Sequence, residues 1–167
     1  AETTGAITLG TTNGALSGSA ANLVLAFAGT VTEHTGTVTV TDAATVAQFN
    51  TINAETTQNV VLFGGVSDTA AAYAATNGTT TSGLTAIAAQ DVDVAITVSD
   101  EPTAAQLVTI NAATTGAITL SDTDGALSGS AANLVLAFAG SVTEHTGTVT
   151  VTNAATVAQF NTINAAR

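Results

Sequence analysis

The sequence has no cysteine, methionine or tryptophan, one proline, and a single Lys or Arg. Without cysteine there is neither a disulfide framework nor a thiolate metal site. One basic residue against twelve acidic ones gives a formal net charge of −11. That leaves nothing to neutralise phosphates and excludes a nucleic-acid partner. Membrane insertion by a spanning helix is excluded too: apolar runs such as residues 23–28 stop at six residues, where a crossing needs about 20. Charged residues are scarce at 8% while hydrophobic ones reach 46%, the reverse of a disordered composition.

What is present is Thr and Ala, 35 of each, arranged in repeats. Residues 3–54 and 114–165 align without a gap at an offset of 111, and only five of those 52 positions differ. The differences are Gly10/Ser121, Thr11/Asp122, Asn13/Asp124, Thr30/Ser141 and Asp42/Asn153. The middle is a divergent copy: residues 38–57 match 96–115 and 149–167, and the segment from residue 6 recurs from 117 and loosely from 60. The chain reads long–short–long–short–long–short, three pairs at approximately 5–57, 58–115 and 116–167.

Each short unit switches period. Thr37-Val38-Thr39-Val40-Thr41 alternates polar and apolar β-branched residues, the pattern of a half-buried strand. Val46, Phe49 and Ile52 then recur every third residue, as do Ala104, Leu107 and Ile110, which predicts a short helix. Asp42, Asp100 and Asn153 stand where the N-caps of these helices are expected, and Pro102 falls in the first turn after Asp100. Each long unit predicts a strand, a Gly-rich turn and a helix over 19–28 or 130–139; Asp68 is expected to cap a corresponding helix through Tyr73. No hairpin signal joins the strands, so they are parallel with crossovers. The fold expected is α/β: a repeat solenoid of six strand-plus-short-helix units with one parallel sheet. The alternative is an all-β parallel β-solenoid in which the helices are further strands.

The strand–Asp–AQFNTINAATTG unit resembles tandem repeats of very large secreted or surface-attached bacterial proteins, of the cyanobacterial type. The resemblance covers the chain through its repeats and implies an extracellular or cell-surface, structural or adhesive role, with Ca²⁺ a candidate ion. The GGxGxDxUx nonapeptide of calcium-binding toxin repeats is absent here. The ends, opening at a unit boundary and closing on Arg167, are expected to be fragment ends or to meet other copies.

Four carboxylates are metal candidates. Asp122-Thr123-Asp124-Gly125 offers oxygens at alternate positions before a glycine, as a calcium loop begins. The first copy has Thr11 and Asn13 instead, and Asn133 replaces the closing Glu, so a polar turn is the simpler explanation. Asp91 and Asp93 belong to the densest acidic group, with Asp100 and Glu101. His34 and His145 each follow a Glu in a Val-Thr-Glu-His-Thr-Gly segment; one imidazole and one carboxylate per copy are too few for zinc, and a solvated turn is expected. Thr37, Thr39 and Thr41 share a strand face, as do Thr148, Thr150 and Thr152, suiting ice or sugar if the rows were regular. Asn77-Gly78-Thr79 is an N-glycosylation sequon. With no lysine, no phosphate loop and no nucleophile–base spacing, the chain is not expected to be an enzyme, and no cofactor beyond Ca²⁺ is implied. The expected function is a structural repeat segment of an extracellular filament, surface layer or adhesin stalk, assembling head to tail. The second expectation is a Ca²⁺- or glycan-binding repeat module of a secreted protein. The expected partners are accordingly other copies end to end, and surface glycans.

Overall fold

The computed structural model describes residues 8–29, 34–140, 142 and 145–166. Among them the chain runs β1 (Leu16–Gly18), α1 (Ala20–Phe27), β2 (Val38–Val40), α2 (Val46–Ala54), β3 (Val60–Leu62), β4 (Val66–Asp68) and α3 (Ala70–Tyr73). It continues α4 (Ser82–Gln90), β5 (Ile96–Val98), α5 (Ala104–Ala113), β6 (Ile118–Leu120), β7 (Leu127–Gly129), α6 (Ala131–Ala137), β8 (Val149–Val151) and α7 (Val157–Ala165). The class is mixed α/β with parallel strands, and the all-β alternative falls because the three-spaced stripes form real helices.

Among the described residues eight three-residue strands, not six, are distributed over three sheets ordered β1-β2-β3, β4-β5-β6 and β7-β8, rather than in one sheet. Two of the long units carry two strands each, β3 with β4 and β6 with β7. One strand closes a sheet and the other opens the next. The second strands, Leu-Ser-Gly in the near-identical copies, are short and glycine-ended, which hid them in the pattern. Pairing is parallel throughout, Leu16 with Val38 and Val38 with Val60, Ile96 with Ile118, and Leu127 with Val149. Each of these steps advances 22 residues. Val66 to Ile96 advances 30, because α3 and α4 are both inserted there. Helix α4 was hidden by Gly83, which looks like a breaker. Its missing Cβ is the space that Val46 Cγ1 occupies.

The inward strand positions Val38, Val40, Val60, Ile96, Val98 and Ile118 are buried, as are the helix stripes Val46/Phe49/Ile52, Leu84/Ile87 and Leu107/Ile110. All belong to one hydrophobic cluster running the length of the stack. After β3 the ladder is closed by side chains instead of a strand: Gln90 Oε1 accepts from Val60 N at 3.2 Å, and the Asp91 carboxylate takes the N–H of Leu62.

The helix caps correct the sequence reading. Thr45, Thr103 and Thr156 are the N-caps of α2, α5 and α7, each in a capping box with Gln48, Gln106 or Gln159. Pro102 therefore lies just before a cap rather than in a first turn. The Asx residues serve a different helix. Asp42 Oδ1 accepts from Ala20 N at 2.7 Å, the first residue of α1, 22 positions earlier. Asp68 does the same for Val46 of α2 (3.0 Å), Asp100 for Ala70 of α3 (2.6 Å) and Asn153 for Ala131 of α6 (2.8 Å). At these four helix starts one coil thus completes the helix of the coil before it, satisfying an otherwise orphaned N–H at the positive end of that helix.

Replacing Asp42 by Ala is expected to cost about 1 kcal/mol and to speed amide exchange at Ala20 while leaving the start of α2 protected. Exchange rising at α2 instead would return Asp42 to the role of a same-unit cap.

Candidate functional site

The four acidic candidates fall into two pairs in two different turns. Asp91 is the C-cap of α4, and Asp93 follows it in the turn before β5. Their carboxyls are hydrogen-bonded to one another. Burial lifts Asp91 above the usual carboxylate range, the bond to Asp93 and its negative charge add to the shift, and the Leu62 amide partly opposes it.

Asp122 and Asp124 occupy the β6–β7 turn. Asp122 Oδ1 accepts from the N–H groups of Asp124 (3.2 Å) and Gly125 (2.9 Å). A hydrogen bond from the Asp124 side chain holds Asp122 below the usual carboxylate range, and those two amides and the charge of His145 act in the same direction. One Asp122 oxygen is therefore occupied in closing the turn. The turn itself packs on the next arc: the N–H groups of Thr146 and Gly147 donate to Thr123 O at 2.7 and 3.1 Å. A Cβ on Gly147 would run into the Asp124 and Gly125 backbone. Among the described residues, no three or more His, Asp or Glu side chains converge into a group that could hold a metal ion.

The histidines depart from expectation. His34 and His145 are buried, each 3% exposed, not solvated. Neither ring nitrogen of His34 has a hydrogen-bond partner, and its ring lies 6.4 Å from that of Phe27. His145 sits 6.1 Å from Phe138 in the same way. The aromatic neighbours explain the burial: each imidazole packs beside the Phe seven residues before it, at the end of α1 or α6, a contact that adjacency in sequence does not reveal. Glu33, Glu144 and Arg167 lie outside the described residues.

At the N-terminal coil a mainly apolar cleft of about 300 Å³ opens between Leu9, Leu16, Ala26, Phe27 and His34. It has no counterpart among the sequence candidates. Tyr73, the single tyrosine, is core: its hydroxyl donates to Thr97 O at 3.1 Å, and burial, with Asp68 nearby, pushes its pKa up. Asn77 Oδ1 accepts from Thr79 N at 3.0 Å, so the sequon folds into an exposed turn. Among the described residues no helix is long and apolar enough to cross a membrane. Compared with protein-family models, curated proteins and solved structures, the chain matches none.

Asp91 yields a pH-dependent expectation. Its folded pKa is raised, so its charged form weakens the fold, and stability is lost as pH rises from 3.8 through the folded value. Asp91→Asn keeps an acceptor for Leu62 N–H and removes a negative charge from a helix C-terminus. It should raise Tm by about 1–2 °C at pH 7 and change nothing below pH 3.8. A lower Tm at pH 7 would mean that the Asp91 charge is used.

Proposed function

We propose that the chain is a structural repeat segment of an extracellular filament, surface layer or adhesin stalk, a solenoid of six units whose copies meet end to end. The observation that carries this reading is the coil-to-coil dependence of the helix starts, in which Asp42, Asp68, Asp100 and Asn153 each cap a helix of the preceding coil. Such a stack is held by nearest neighbours and lengthens by repetition. Its near-duplicate first and last thirds suit a spacer better than a catalytic centre, which is singular. The extracellular placement is supported by the resemblance to repeats of large secreted bacterial proteins, and the acidic, cysteine-free composition suits it. Asp91 and Asp93 favour the second reading, a Ca²⁺-binding module, since one cation would relieve their mutual repulsion.

Two measurements test these readings. Gold-labelled antibody on producing cells is expected to mark surface fibres or layers, and label confined to the cell interior would overturn the structural reading. Millimolar Ca²⁺ and its chelator are expected to leave Tm unchanged. A Ca²⁺-dependent rise of about 3 °C or more, corresponding to roughly 1 kcal/mol, would transfer the assignment to the cation module.

A further inference from the structure

We propose that the outward residues of β3 and the turn after α4 form a docking surface for a segment of another protein in which a large apolar side chain stands beside a lysine or arginine. Val61, Phe63 and Val92 receive the apolar part and the stem of the basic side chain, and Asp91 with Asp93 the charge. Nothing in this surface depends on the filament reading.

The surface lies in the middle of the stack, between β2 on one side and β4 and β5 on the other. Gln90 Oε1 accepts from Val60 N at 3.2 Å and the Asp91 carboxylate from the Leu62 N–H. The end of α4 is thereby fastened along the edge of β3. Val61 and Phe63 flank Leu62, and Val92 follows Asp91, so each lies one residue, about 3.8 Å along the backbone, from the same hydrogen bond. Phe63 is 82% exposed, Val92 63% and Val61 40%. A lone exposed valine is ordinary, but a phenyl ring and two valines gathered at one point and rimmed by carboxylates mark an interaction site.

The repeat does not require this surface. Strands β3 and β6 share a buried–exposed–buried order, yet β6 has Thr119, followed by Ser121, where β3 has Val61, followed by Phe63. The pairing of Ile96 with Ile118 sets Ala113, Thr114 and Thr115 in the places of Asp91, Val92 and Asp93. At all five positions a hydroxyl or alanine gives way to an apolar or acidic residue. The exposed leucines of α1 and α6, Leu25 and Leu136, by contrast come with the duplicated unit.

Charge decides the occupant. Asp91 and Asp93 stand on either side of Val92 with their carboxyls hydrogen-bonded to one another, and the chain has one Lys or Arg against twelve acidic residues. A second copy sets the same carboxylates against themselves. A neutral apolar segment covers them without a counter-charge, which is costly. A lysine or arginine supplies that charge, lays its methylenes on the valines and meets the face of Phe63. The contact is small, so binding is weak and salt-sensitive.

Random heptapeptides displayed on phage, selected on the 167-residue chain and counter-selected on its Val61→Thr/Phe63→Ser variant, test the surface. That variant carries the residues that β6 has at the same positions, so it is expected to keep the wild-type Tm; Phe63→Ser alone, at an exposed position, is the second variant. Enriched peptides are expected to carry Lys or Arg beside a large apolar residue. As free peptides followed by fluorescence anisotropy, they should lose more than about tenfold in affinity for either variant. Asp93→Asn, and separately a rise to about 0.5 M NaCl, should each cost about threefold or more. No enrichment over the variant overturns the docking surface. Enriched peptides without a basic residue, or equal affinity for Asp93→Asn, overturn it too. Self-association of the wild type in sedimentation velocity that Phe63→Ser abolishes makes a second copy the occupant and likewise overturns the proposal.

Discussion

Parallel pairing between three-residue strands of successive coils is the constraint on which the rest depends. A strand of this length has no stability of its own, and helices of seven to ten residues such as α6 and α5 are marginal in isolation. Both elements persist because a step of 22 residues, or of 30 from β4 to β5, sets each strand beside a strand of the neighbouring coil. The same register aligns valine with valine and isoleucine with isoleucine, so burial follows from repetition rather than from a long amphipathic surface.

That constraint also dictates the composition. Successive arcs lie so close that glycine is required where backbone meets backbone, as at Gly64 against Asp42 and at Gly147 against Asp124. Alanine on the helix faces admits the same approach; α5 meets β7 through Ala104. At the ends of the strands the stacking brings an Asx side chain beneath the helix start of the neighbouring coil. Four helix starts therefore depend on a residue 22 or 30 positions ahead, and no coil is complete alone.

The strands and helices of the short units were legible because their periods, two and then three to four, are intrinsic to the local sequence. The caps were not, although both signals were present. Asp42 and Thr45 are each good cap residues, and propensity alone cannot say which of two adjacent candidates serves its own helix and which serves another. The Thr45-x-x-Gln48 capping box was the deciding local sign. The second strands of the long units escaped because Leu-Ser-Gly acquires strand character only by pairing. The carboxylate pairs were legible as pairs, since spacing of two in a turn brings them together. The burial of His34 was not, because it depends on Phe27. Nor was the cleft, whose lining residues Leu9, Leu16, Phe27 and His34 are far apart in sequence.

The hand-over from one sheet to the next at each long unit shapes the outside as well. Outward strand residues form Ser17–Thr39–Val61, then Ser67–Thr97–Thr119, then Ser128–Thr150. The outward strand positions are therefore divided into three short treads instead of one flat Thr plane, and the first ends on Val61 rather than on a hydroxyl. A lattice such as an ice surface, which demands long-range flatness, meets only one tread at a time. Each tread runs from Ser to its neighbours in the same direction as the chain, so the molecule is vectorial, and two copies laid antiparallel would present mismatched steps to any surface that touches them.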